Sequence, residues 1–202
     1  MPPEGWAATY LEVAGSFADL VAELPASLPG PGLGEWDLRA LVGHTSRSLI
    51  TVIEGLEQPA PAVDLDSAAA YVLAAGEAVA SGGAGVTERG VAAGEALGTD
   101  PAAHVRGLLD RVTAGLADAD PDQVVTTFCG GMRLRDYLPT RSFELVVHGL
   151  DIVAAAPVRW TPPPAALAEA VEVATEVAVR RGEGTILLRL ITGREPGGFS
   201  IV

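Results

Sequence analysis

Glu144 and His148 stand four residues apart. On a helix this spacing puts both side chains on one face, close enough to hold a single divalent ion. At about 100° per residue, Tyr137, Arg141, Glu144, His148 and Asp151 form one narrow polar stripe. Phe143, Leu145, Val146, Val147, Leu150, Ile152 and Val153 take up most of the remaining surface. A helix at the protein surface has the opposite proportions. This one is expected to be buried, its stripe satisfied by partners inside the protein or by a solvent-filled cleft. The plain alternative is an exposed ion pair between Glu144 and His148, worth a few tenths of a kcal/mol.

Two ligands are too few for a catalytic zinc, which takes three from the protein and leaves a fourth position for water or substrate. The only other histidines are His44 and His104. His44 is the better candidate, because Asp37, His44, Arg47, Ser48 and Thr51 interrupt an otherwise apolar helix in a similar way. His104 follows the Asp100 cap by one turn, among alanines, and is expected at the surface. Standing alone, His44 also fits an ordinary hydrogen-bonded histidine between helices. Arg141 and Asp151 are candidates to orient the ligands, or else helix salt-bridge partners. Arg47 and Tyr137 are candidates for cofactor contact under the same alternative.

Other chemistry is weakly supported. Cys129, the single cysteine, has no histidine near it in sequence, and free cysteine is commonly buried. Ser81-Gly82-Gly83-Ala84-Gly85 lacks the Lys-Ser/Thr ending of a phosphate loop and is expected to be a linker. All 13 basic residues are arginine, so Schiff-base catalysis, which needs a lysine amine, is excluded.

The elements that must position these groups are mainly helical. Trp6, Tyr10, Val13, Phe17, Val21 and Leu24 recur at helical spacing up to Pro25. Asp37 can cap a second helix that stops before Pro59, and Pro59 to Asp66 is a crossover loop. Ser67 to Ala80 and Val86 to Leu97 are helix-prone, and Asp100-Pro101 is a helix start. Val124 to Phe128 is short and β-branched, followed by a Cys129-Gly130-Gly131 turn. Asp136 is expected to cap the long site helix, with Pro139 in its first turn and Pro157 after its end. Beyond it come a helix from Ala165 to Arg181 and a buried strand from Thr185 to Thr192. The chain is thus expected to be roughly four principal helices, residues 1–156, with a small helix-and-strand extension, 157–202, packed on them.

A net charge of -13 disfavours nucleic acid and anionic lipid as partners. No apolar run approaches the roughly 20 residues of a membrane span. Met1-Pro2-Pro3-Glu4-Gly5 does not resemble a secretory signal, and one cysteine suits a reducing compartment, so a cytoplasmic location is expected. The Ala, Gly, Val and Arg bias is what GC-rich codons produce and fits an actinobacterial source.

Trp36-Asp37-Leu38-Arg39-Ala40-Leu41-Val42-Gly43-His44, with Asp136 through Arg141, Glu144, His148 and Asp151, resembles the metal-binding domain of mycothiol-dependent maleylpyruvate isomerases, a branch of the DinB-like superfamily. The resemblance covers about residues 6–156, and Leu190 to Phe199 looks like the ending of short members. It implies a DinB-like four-helix bundle with a long crossover and a metal, expected to be zinc, on His44, Glu144 and His148. It also implies that the open metal position activates a small thiol such as mycothiol toward an electrophilic substrate, by S-transfer or by isomerisation. The full isomerase carries a further C-terminal domain that contributes to its active site, and only about 45 residues follow the bundle here. A thiol-dependent transferase is therefore expected ahead of maleylpyruvate isomerisation itself. The other readings are a zinc-hydroxide hydrolase with Asp151 as base and a non-enzymatic bundle that binds another protein. A monomer or a homodimer is expected.

Overall fold

The structure is a computed structural model and describes residues 5–81 and 85–194. Met1 to Glu4 lie outside the described residues, as do Gly82 to Ala84 of the expected linker and the part of the family-like ending Leu190 to Phe199 that follows Arg194. After a short 3-10 turn at Gly5–Ala7 come helices α1 (Ala8–Glu23), α2 (Leu38–Glu57), α3 (Ala68–Ala80), α4 (Val86–Ala96) and α5 (Pro101–Ala117). A hairpin of β1 (Val124–Thr127) and β2 (Gly130–Arg133) leads into α6 (Leu134–Ala155), followed by α7 (Pro164–Arg180) and α8 (Gly184–Ile191).

Helices α1, α2, α5 and α6 form the bundle, with α1 and α2 each packed against both α5 and α6. Its centre is made by Tyr10, Phe17, Leu41, Leu49, Val105, Val112, Leu138 and Leu145, all buried. The expected caps at Asp37 and Asp100 form, the Asp37 carboxylate accepting from the Ala40 N–H at 2.7 Å and Asp100 from Ala103, and the Ser67 hydroxyl adds a third, accepting from Ala70. Each satisfies an N–H that the first turn cannot pair internally.

The crossover from α2 to α5 carries α3 and α4. Its Pro59–Asp66 stretch is tied to the hairpin, since Ala60 N–H donates to Val124, Thr126 N–H to Gln58, and Asp64 N–H to Gly131. Helix α4 lies on α2 so closely that a Cβ at Gly43 would fall on the backbone of Ala93 and Gly94. Glycine is required there by close approach, whatever its backbone angles. Helix α7 packs on α6 and also reaches α1 and α3. The link to it is held by Trp160, whose indole covers Gly149 and donates to the Ser16 hydroxyl at 2.8 Å.

Three local expectations are corrected. Thr185 to Thr192 is not a buried strand: Gly184–Ile191 is helical, and none of its residues is fully buried. A continuous apolar run has no period that separates strand from buried helix, and its leucines and Arg189 favour helix. Among the described residues the only sheet is β1 with β2, antiparallel, so that run would have had no partner strand. Of the expected Cys129-Gly130-Gly131 turn, Gly130 and Gly131 instead open the second strand of this hairpin, Gly130–Arg133. Finally, α6 starts two residues before Asp136, which is not its cap but an acidic residue of the first turn, suited to the helix dipole. Pro139 therefore lies inside the helix and deprives the Arg135 carbonyl of its helical donor, at a residue exposed to solvent.

Candidate metal centre

Two helices supply the candidate site. From α2, His44, Arg47, Ser48 and Thr51 project at spacings of three and four, on one face. From α6, Glu144 and His148 project toward them, one turn apart. The α2–α6 packing brings the two faces together. Nε2 of His148 lies 3.2 Å and Nε2 of His44 3.9 Å from Oε2 of Glu144. One ligand atom from each of the three residues fits within a 4.8 Å group. His104, on α5, does not join it.

A tetrahedral ion with bonds of about 2.0–2.2 Å needs its donor atoms about 3.3–3.6 Å apart. The two separations to Glu144 bracket that value. Two imidazoles with one carboxylate is a donor set used by catalytic zinc, and it leaves one position open. His44 also departs from the ordinary interhelical histidine, because its Nδ1 is buried without a hydrogen-bond partner among the described residues. Its ring is packed between Trp36, 4.4 Å away, and His148, 4.9 Å away. The residues fit a divalent metal.

Charge at the cluster follows from burial and neighbours. Burial holds His44 down to about 4, helped by the facing His148 and opposed by Glu144, so this ring is neutral at pH 7. Burial alone would lift the Glu144 carboxyl, but its hydrogen bond to His148 and the Arg141 charge bring it to about 2. For His148, burial is outweighed by hydrogen bonds to Asp151 and Glu144, which push it up to about 9. Its Nδ1 meets Oδ2 of Asp151 at 2.9 Å, leaving Nε2 facing Glu144. Asp151 therefore stands where an orienting carboxylate stands. Asp151→Ala is expected to weaken metal binding by about 10–100-fold, measured by competition with a chromogenic chelator. Unchanged affinity would remove that role.

Arg141, 7% exposed, lies between the rings of Tyr71 and Tyr137, 5.0 Å from each centroid, and its Nε donates to the Thr140 hydroxyl. Those rings and Glu144 hold the guanidinium firmly charged against the cost of burial. Tyr137 is buried behind Arg141 and 5.7 Å from Tyr71. Arg47 and Arg141 line a cavity of about 210 Å³ beside the cluster, together with Arg89 from α4. Glu144 is the one acidic residue in that lining, so the chamber is locally positive in an acidic protein. A second cavity, about 700 Å³ and mostly apolar, adjoins the first and meets the same cluster, sharing His44, Tyr71, Val79 and Glu144 in its lining.

A model of the mycothiol maleylpyruvate isomerase N-terminal domain matches residues 10–153. The chain belongs to this family. The matched segment of the mycothiol maleylpyruvate isomerase N-terminal domain contains His44, Glu144, His148 and Asp151, whereas α7 lies outside it. Comparison with curated proteins and with solved structures finds no match.

Several lining residues escaped the sequence reading. Tyr71 had a faint signal, as the only aromatic in an Ala-rich helix. Arg89, Val177 and Arg181 had none, since their place depends on how α4 and α7 dock.

Proposed function

We propose that this protein is a metal-dependent enzyme, with zinc on His44, Glu144 and His148, that activates a low-molecular-weight thiol of the mycothiol type for attack on a small electrophile. The observation that carries the reading is the convergence of two imidazole nitrogens on one carboxylate oxygen, with Asp151 holding the far side of His148. Zinc, when bound, favours the thiolate over the thiol, which makes sulfur nucleophilic at neutral pH. Arg47, Ser48 and Thr51 would bind the polar parts of the thiol in the smaller chamber. Arg141 would keep that chamber positive, where the developing sulfur charge is stabilised. Attack forms one C–S bond. In transfer a leaving group departs with its electron pair; in isomerisation a conjugated C=C π bond breaks as sulfur adds, its electron pair passes to the conjugated carbonyl, and after rotation that pair re-forms the double bond as the thiolate leaves. A reduced thiol requires a reducing compartment, so a cytoplasmic location belongs to this reading.

The hydrolase reading is the weaker one, because Asp151 is engaged with His148 at 2.9 Å and is not free to act as a base on water. The test is metal analysis of protein from zinc-supplemented cultures, then turnover of model electrophiles with and without mycothiol. One zinc per chain and thiol-dependent turnover are expected. Absence of stoichiometric metal, or turnover indifferent to thiol, would sink the proposal.

A further inference from the structure

We propose that the larger cavity is a binding groove for an uncharged, apolar body carried by the electrophile, and that α7 builds one of its walls. The identity of the reacting end rests on the metal and thiol reading above; the groove itself rests on its own observations. Its volume of about 700 Å³ is within the range of small-molecule sites, about 300–1,000 Å³. Val72, Ala75 and Val79 of α3, Val86 of α4, Phe143 of α6 and Val177 of α7 line it.

Helix α3 supplies an independent sign. Of its 13 residues only Glu77 is charged, yet only Ala69 and Tyr71 are buried, and Val79 is left 51% exposed. A helix so apolar is normally covered by protein. Here its uncovered side faces the groove. Charge fixes the kind of occupant. Counting arginines against glutamates in each lining, the groove has one, Arg181, against Glu77 and Glu144, whereas the smaller chamber has three against Glu144 alone. An anion is drawn to the chamber, an uncharged apolar body to the groove. The donors His44, Glu144 and His148 are recessed in it, with side chains 15–28% exposed. A small molecule with a reactive end reaches into such a recess; a flat protein surface does not.

Gly76 gives a clean way to block the groove. It lines the cavity, and a Cβ there would meet nothing within 4 Å. Gly76→Phe thus sets a ring at the groove with no clash at its Cβ, and replacing a helical glycine favours the fold. Val177→Ala trims the α7 wall instead. The probe is N-phenylnaphthylamine, uncharged and fluorescent in apolar surroundings, titrated into zinc-treated and metal-free protein. Saturable one-site binding is expected in wild type, with affinity at least about tenfold lower in Gly76→Phe and about three- to tenfold lower in Val177→Ala. Zinc content should equal that of wild type in both variants. Failure of wild type to bind, or equal binding by Gly76→Phe, overturns the groove even if zinc is present. Unchanged binding by Val177→Ala overturns the α7 wall. A homodimer that Gly76→Phe dissociates in sedimentation would show that a second copy covers the groove, also overturning it. If the probe behaves as expected but no metal is ever taken up, the groove stands and the metal reading falls.

Discussion

His148→Ala protein, expressed with added zinc, is expected to retain roughly a tenth or less of the wild-type metal, since loss of an orienting partner alone costs about 10–100-fold and here a donor is gone. The pH dependence provides a sharper signature. In the metal-free protein His148 stays protonated up to about pH 9, because Asp151 and Glu144 both accept from its ring. An ion that takes Nε2 must displace that proton. Glu144, at about 2, is already ionised, and His44, at about 4, is already neutral, so neither adds a second proton near pH 7. Apparent zinc affinity should therefore rise about tenfold per pH unit toward pH 9 and then flatten. Calorimetry in buffers of different ionisation heat should read one proton released per zinc.

Stability of the metal-free protein should move in the opposite direction. The folded pKa of His148 is raised from 6.5 to about 9. Its contribution is present in full below pH 6.5 and is lost as pH rises through 9, amounting to at most about 3 kcal/mol. Urea melts across that range would show the decline in wild type and its absence in His148→Ala. Equal metal content in the two proteins, or equal slopes, would exclude His148 as the titrating ligand.

Gly43→Ala is expected to destabilise the fold by about 1–3 kcal/mol or more, as overpacking against backbone does. The added methyl would strike Ala93 and Gly94, which are main-chain atoms and cannot swing aside. At about 2–4 °C per kcal/mol for a chain of this size, thermal melts resolve such a loss. Helix α4 also carries Val86 and Arg89, and its Thr87 carbonyl accepts from the Trp36 indole. Pushing it off α2 should therefore open both cavities. Gly76→Ala is the control: the same change in a helix with open space should gain about 0.4–1 kcal/mol. Similar melting of the two variants would refute the close contact.

How much of this was legible beforehand depended on range. The stripe Tyr137, Arg141, Glu144, His148 and Asp151 lies within one helix, so its geometry follows from 3.6 residues per turn. The caps Asp37 and Asp100 were equally readable, because an N-cap bond spans three residues. The strand expected at Thr185 to Thr192 failed because a run of apolar residues holds no period, and its state depends on what lies beside it. Asp136 misled for a smaller reason: the hairpin delivers the chain already turning into helix at Leu134.

By itself the sequence determined a helical chain without lysine, a buried helix with a narrow polar stripe, and a Glu-His pair one turn apart. Those features follow from residue type and local period. Only the tertiary structure decided that His44, not His104, joins the pair, that Asp151 holds His148 and that Arg141 is sandwiched between two tyrosines. It alone set an arginine-lined chamber and an adjoining apolar groove that both open onto the cluster. The physical reason is that these relations join residues far apart along the chain. They exist only once helix packing has chosen a crossing and a register, and no local period encodes either.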